Sequence, residues 1–329
     1  MRIDTSAPTR IDLAGGTLDI WPLYLFHPGA QTVNAAISLR AHARIETRDD
    51  SRIVIRSEDT DTTVEADDWR TLRTEPRLRL LSLLAHFFEA SGITLTTSCL
   101  SPAGAGIAGS SALNVATCAA LAKWKREHYE PEALLQLAMN IEAQAIGVPT
   151  GLQDYRPALY GGIAAIDLDV VGVRRVPLDV DLGELQRRIV LCYTGEPRNS
   201  GTNNWEITKR HIDGDAHVFD CFERIRDTAA AMRDALVRAD WDAVGRALFT
   251  EWENRKRLAP GVTTPLIDDL LQRAHAAGAV AGKACGAGGG GCLITYGAPE
   301  HQEAIRRALA EGGARLLDFQ FERHGLTRG

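Results

Sequence analysis

No run of about 18 apolar residues occurs anywhere in the 329-residue chain, which argues against a membrane-spanning helix. The opening residues, MRIDTSAPTRIDLAGG, lack the basic-then-apolar layout of a secretory signal, so export is not expected. Basic charge is not in excess either. Against 43 Asp and Glu stand 37 Lys and Arg, for a formal charge of -6 and a pI near 5.9. That balance disfavours a dedicated binder of nucleic acid or anionic membranes and leaves a small molecule as the expected partner, with room for a local basic cleft. Cysteine is sparse and unpatterned. The six, at 99, 118, 192, 221, 285 and 292, form no CxxC pair and sit mostly among apolar neighbours, so structural thiols in a reducing compartment, the cytoplasm, are expected rather than disulfides or zinc. Low-complexity linkers and internal repeats are also missing. The length exceeds a single small core and suits two fused domains or one large α/β body.

What the chain does have is glycine in the right company. Pro102 to Ala112, PAGAGIAGSSA, places Gly104, Gly106 and Gly109 ahead of Ser110 and Ser111. Such spacing lets the backbone turn and aim consecutive N–H groups at an anion, while a following helix adds its positive end. Taken alone, the segment serves equally well as a tight packing turn. The residues after it add weight, because Leu113, Ala116, Ala120 and Trp124 recur at helical spacing and put both serines at a helix start.

Strands are predicted at Arg10 to Leu13, Thr32 to Leu39, Ala43 to Thr47 and Arg52 to Ser57, then at Ile93 to Cys99 and Ile163 to Leu168. Helices are predicted over Arg77 to Ser91, from Ser111, and from Pro131 with Leu134, Ala138, Ile141 and Ala145 on one face. The second half opens with a strand at Arg188 to Tyr193 and a polar loop. A helix follows whose stripe of Val218, Phe222, Ile225, Ala229, Met232 and Leu236 reads as core packing. Asp240 and Thr264-Pro265 mark two more helix starts. Ala279 to Cys285, Cys292 to Tyr296 and Arg315 to Phe319 are the last strands expected.

Two further glycine segments, APTRIDLAGGTLD near the start and KACGAGGGGCLITYG near the end, flank the central one. No GKS or GKT follows the glycines, so this is not a Walker loop, and the paired serines do not fit a dinucleotide-binding fingerprint. Together the three segments resemble the GHMP kinase superfamily across essentially the whole chain. The resemblance implies an α+β fold of two domains: a ribosomal-S5-like ATP-binding domain over residues 1–180 and a C-terminal αβ sandwich over 181–329. It implies ATP and Mg²⁺ as cofactors, with Gly104, Gly106, Ile107, Ala108, Gly109, Ser110, Ser111, Gly288 and Gly289 around the nucleotide. Ser111 and Glu142 match the family's metal contacts, and hard oxygen ligands suit Mg²⁺. Asp154 matches the aspartate near the acceptor hydroxyl, and Arg10 a basic partner able to stabilise developing charge. Without the resemblance, Glu142 reads as an exposed helix carboxylate, and the alternative role for Arg10 is a strand-surface ion pair.

On the acceptor side, Gly16, Thr17 and Asp19 resemble the segment that holds a sugar, and Gly286 belongs to the active-site floor. Arg198 in the Tyr193 to Trp205 stretch is either an anion contact or part of a solvated loop. Arg156 and Lys283 are further candidate anion contacts. Ile107, Ala108 and Gly109 make the central loop one residue longer than in many members, resembling the branch of D-glycero-D-manno-heptose 7-phosphate kinases, L-fucose kinases and glucuronokinases. Ala108 replaces a glycine usual in the heptose group, and Thr17-Leu18-Asp19 replaces its Gly-Thr-Asp. The expectation is a kinase acting on a sugar or sugar phosphate, by likeness at the anomeric hydroxyl, with a homodimer as the assembly to consider. A mevalonate-type isoprenoid kinase and a non-catalytic sugar or nucleotide sensor are the alternatives.

Overall fold

The computed structural model describes residues 1–197 and 200–328. The first half contains β1 (Arg2–Ala14), β2 (Gln31–Thr47), β3 (Ile53–Ser57), β4 (Thr62–Ala66), α1 (Arg79–Phe87), β5 (Ile93–Cys99) and α2 (Gly109–Lys125). After these come α3 (Pro131–Ile146), α4 (Tyr155–Tyr160), β6 (Ile163–Asp169) and β7 (Gly172–Pro177). The second half runs α5 (Leu182–Gln186), β8 (Ile189–Tyr193), α6 (Ser200–Ile212), α7 (Ala216–Val237), α8 (Trp241–Arg255), α9 (Pro265–Ala276), β9 (Ala279–Ala284) and β10 (Cys292–Gly297). It closes with α10 (Gln302–Glu311), β11 (Arg315–Leu316) and β12 (Thr327–Arg328).

Eight strands form the first sheet, in the order β12-β1-β2-β5-β3-β4, with β6 on the other part of β2 and β7 beyond it. All its pairings are antiparallel except that of β3 with β5. One long β2 replaces the two strands expected there: its first residues pair with β6 and its last with β5. Register shifts at Pro8/Thr9 and Asp12/Ala14 let β1 follow it, as bulges do. The small buried residues Ala112, Ala116, Ala119 and Ala120 of α2 allow this helix to lie close against β1 and β2. Its first turn therefore sits on the sheet's most buried strands.

The second sheet is β11-β8-β10-β9, wholly antiparallel. The α7 stripe is buried throughout, as its periodicity predicts. Asp240 caps α8 by accepting from the Ala243 N–H, and Thr264 caps α9 by accepting from that of Ile267. Several elements differ from expectation. The short, polar β4 and β7 give little hydrophobic alternation to read, and α6 begins inside the stretch read as a polar loop. The predicted last strand extends only over Arg315–Leu316, and the chain then returns to the first sheet, where β12 lies beside β1. The six cysteines form no disulfide with one another, and five of them are buried. No described helix is long and apolar enough to cross a membrane.

Candidate active site

The cradle is built where the three glycine segments meet. Gly104, Gly106 and Ala108 all lie in the left-handed region, at φ of 67°, 79° and 61°, and α2 begins at the next residue, Gly109. A non-glycine in that region costs on the order of 1 kcal/mol and persists only where its surroundings hold it. Here β1 supplies the hold: the Arg10 N–H donates to the Ile107 carbonyl at 3.0 Å, and the Arg10 guanidinium to that of Gly106 at 2.9 Å. From the other side the Cys292 N–H donates to the Ala105 carbonyl at 2.7 Å. A Cβ at Gly291 would stand 2.6 Å from that carbonyl oxygen, so only glycine fits.

Beside the cradle lies a cavity of about 430 Å³ lined by Gly104 to Gly106, Ala108 to Ser111, Glu142 and Asp154, together with apolar side chains such as Leu78, Leu81, Leu113, Ile146 and Val148. Orphan N–H groups of the first turn of α2 and that helix's dipole favour an anion here. The apolar wall and Asn204, which α6 contributes, went unread in the sequence; their signal is scattered over four elements and loops.

Glu142 comes from the buried face of α3. Its carboxylate accepts from Ser110 Oγ at 2.7 Å, Tyr155 OH at 2.7 Å and Asn114 Nδ2 at 3.4 Å. Burial pushes its pKa up, and Asp154 adds to the rise, against the pull of those donors. The hydroxyl that meets Glu142 is thus that of Ser110; Ser111 is buried and lines the same cavity. Asp154, just ahead of α4, accepts from Arg10 Nε at 2.9 Å and from the terminal NH2 of the same guanidinium. The Arg10 side chain is 1% exposed and that of Asp154 is 24% exposed, so the pair presents its carboxylate to the cavity. Burial alone would lower the Arg10 pKa; the charges of Asp154 and Asp12 more than reverse that.

Behind this pair is a closed network of charges. Asp12 Oδ2 accepts from Lys283 Nζ at 2.7 Å, and Oδ1 from the Gly286 N–H at 2.9 Å. Despite burial, Lys283, Arg10 and Arg255 hold the Asp12 carboxyl well below the usual range. Glu251 accepts from the Gly15 N–H at 3.1 Å, with burial pushing its pKa up. Arg255 donates to the Gly286 carbonyl at 2.5 Å and to Thr17 Oγ1 at 3.1 Å. Glu251 and Arg255 carry no periodic or motif signal; Asp12 lies inside the first glycine segment, where nothing in the local sequence marks its charge for burial. Lys283 is engaged inside this network, and Arg156 donates to Glu132 at 2.7 Å.

Asp19 is buried, with Oδ2 accepting from the Gln153 N–H at 2.9 Å and Oδ1 without a hydrogen-bond partner among the described residues. Burial, then the charge of Asp154, pushes its pKa up to about 6. Gly16 lies under the Arg255 guanidinium, where a Cβ would stand 2.1 Å from NH1. Gly288 packs on Val262, and the Gly289 N–H donates to the Val262 carbonyl at 2.8 Å. Arg198 lies outside the described residues.

A glycine turn at a helix start, an arginine-paired aspartate and a buried glutamate thus share one cavity in a chain of two αβ halves. Residues 78–162 match the GHMP kinases N terminal domain and 232–315 the GHMP kinases C terminal domain, so the chain belongs to the GHMP kinases. It is 28% identical to D-glycero-alpha-D-manno-heptose 7-phosphate kinase of Campylobacter jejuni, over 98% of each chain. To a bifunctional fucokinase/GDP-fucose pyrophosphorylase of Arabidopsis thaliana it is 26% identical, over 94% of this chain and 31% of that one. A crystal structure of a D-glycero-D-manno-heptose 1-phosphate kinase from Bacteroides thetaiotaomicron superimposes with a TM-score of 0.80 at 26% identity, covering 99% and 98% of the two chains.

Proposed function

We propose that this protein transfers the γ-phosphoryl group of ATP to a hydroxyl of a sugar or sugar phosphate, at the anomeric position of a heptose 7-phosphate-like acceptor, in the cytoplasm. The observation that carries the reading is Asp154: a partly exposed carboxylate, fixed by a fully buried arginine, on the wall of the cavity that the phosphate cradle also lines. Triphosphate at the cradle would be met by the N–H groups of the Gly104 to Ser111 turn and by the positive end of α2. Asp154 orients the acceptor hydroxyl for in-line attack and takes its proton late, as a loose transition state requires. Arg10 keeps that carboxylate aligned. Asp19 Oδ1, buried and unpartnered, can accept from a sugar hydroxyl.

The donor set fits Mg²⁺. Glu142 offers a hard carboxylate on the cavity and the Ser110 hydroxyl lies beside it; the remaining ligands would come from phosphate oxygens and water. When bound, the ion would neutralise phosphate charge; Glu142 with Ser110 or Ser111 would hold it. The test is ADP release from ATP across free hexoses, uronic acids, heptose phosphates and mevalonate. Release that depends on a sugar or sugar phosphate is expected; turnover with mevalonate only would replace the sugar assignment, and turnover with no acceptor in the panel would remove it.

A further inference from the structure

Thr17 is a β-branched residue at φ of 76°, inside the segment proposed to hold the acceptor. Such a residue is an outlier in the left-handed region and is kept there only by its surroundings. The Ile20 N–H donates to the Thr17 carbonyl at 3.2 Å, and the Thr17 side chain is met by Arg255, the last residue of α8, which reaches across from the second half of the chain. One guanidinium nitrogen, NH2, donates both to Thr17 Oγ1 at 3.1 Å and to the Gly286 carbonyl at 2.5 Å. The other, NH1, lies 3.6 Å from Asp12 Oδ2 and 3.8 Å from Glu251 Oε1, and fills the space that a side chain at Gly16 would need. The arginine side chain is 2% exposed and both carboxylates are fully buried. Because Thr17 Oγ1 accepts from Arg255, its own O–H remains available as a donor.

We propose that Arg255 is a positioning residue for the acceptor: it holds Thr17 in its strained conformation, so that Gly16 to Asp19 are shaped before the sugar arrives, and ties that segment to the floor at Gly286. The inference rests on the acceptor role proposed above for Gly16, Thr17 and Asp19. Arginine suits the place because one guanidinium nitrogen serves Thr17 Oγ1 and the Gly286 carbonyl while a second lies beside the two carboxylates, a spread that a single lysine ammonium does not cover. Loss of a charged hydrogen bond and release of the strained turn would raise the acceptor KM roughly tenfold to a hundredfold.

The test is a double-mutant cycle on the full chain with whichever acceptor the wild type turns over. Arg255→Met should raise the acceptor KM while the ATP KM stays within about twofold, since the Gly104 to Ser111 turn takes its hydrogen bonds from Arg10 and Cys292 and none from Arg255. In a Thr17→Gly background, where glycine adopts the left-handed conformation without strain, the same change should raise the acceptor KM much less. Should Arg255→Met not fold, Arg255→Lys replaces it in both backgrounds, with the same non-additivity expected. Equal effects in the two backgrounds, a parallel rise in the ATP KM, or an unchanged acceptor KM would each overturn the proposal. If the wild type instead takes mevalonate, the sugar reading fails while the cycle still decides the role of Arg255.

Discussion

Asp154→Asn removes one charge and keeps an acceptor oxygen facing Arg10. The guanidinium would still donate to that oxygen from Nε, as it does now at 2.9 Å, and would keep its bond to the Gly106 carbonyl at 2.9 Å and its contact with Asp12 at 3.5 Å. No buried donor is orphaned, and the Asp154 side chain is a quarter exposed, so the lost attraction is screened; the stability loss should be about 1 kcal/mol. Turnover is another matter. A positioned base contributes about a hundredfold to ten-thousandfold, which corresponds to roughly 3–5 kcal/mol of transition-state stabilisation. The geometry of the loop proposed to meet the phosphates depends on the Arg10 backbone and guanidinium, not on the Asp154 charge, so ATP affinity should change little. Coupled ADP release, nucleotide titration and a thermal melt on the one variant separate these effects. A kcat within about fivefold of wild type, with folding intact, would refute the assigned role.

Asp19→Asn tests the buried carboxyl whose pKa is pushed up to about 6. A carboxyl raised on folding stabilises the protein below its unfolded pKa near 4, and that contribution is lost as pH rises through 6. The variant should therefore be more stable than wild type at pH 7.5, by roughly 2–3 kcal/mol, with the gap closing between pH 6 and 4; equal melting curves across that range would contradict it. Glu142→Gln should raise the Mg²⁺ concentration for half-maximal activity at least about tenfold, read from a metal titration at saturating ATP. Gly291→Ala should destabilise by roughly 2–4 kcal/mol in denaturant unfolding, because its Cβ would meet the Ala105 carbonyl at a residue with φ of 79°.

The sequence disclosed those parts of the molecule whose local chemistry is specific. Capping aspartate, threonine and N1 prolines marked α3, α8 and α9, and the α7 stripe announced its buried face. The three glycine segments do converge, with the Cys292 N–H on the Ala105 carbonyl and Arg10 on Gly106 and Ile107. What stayed hidden depends on long-range packing. Asp12, Glu251 and Arg255 are charged residues in strand and helix positions that look solvated until two halves of the chain close over them. The apolar cavity wall draws on residues near 78, 113 and 146, which no single periodic pattern connects. Ser110 and Ser111 are adjacent at a helix start, and only the direction of α3 decides which hydroxyl meets Glu142.

The most direct measurement is phosphorus NMR of the product formed from ATP and the best acceptor in the panel. Direct transfer to an anomeric hydroxyl predicts one new phosphomonoester resonance, coupled to the anomeric proton and stoichiometric with ADP. Inorganic phosphate as the sole new species, or a phosphate carried by a non-sugar alcohol, would contradict it.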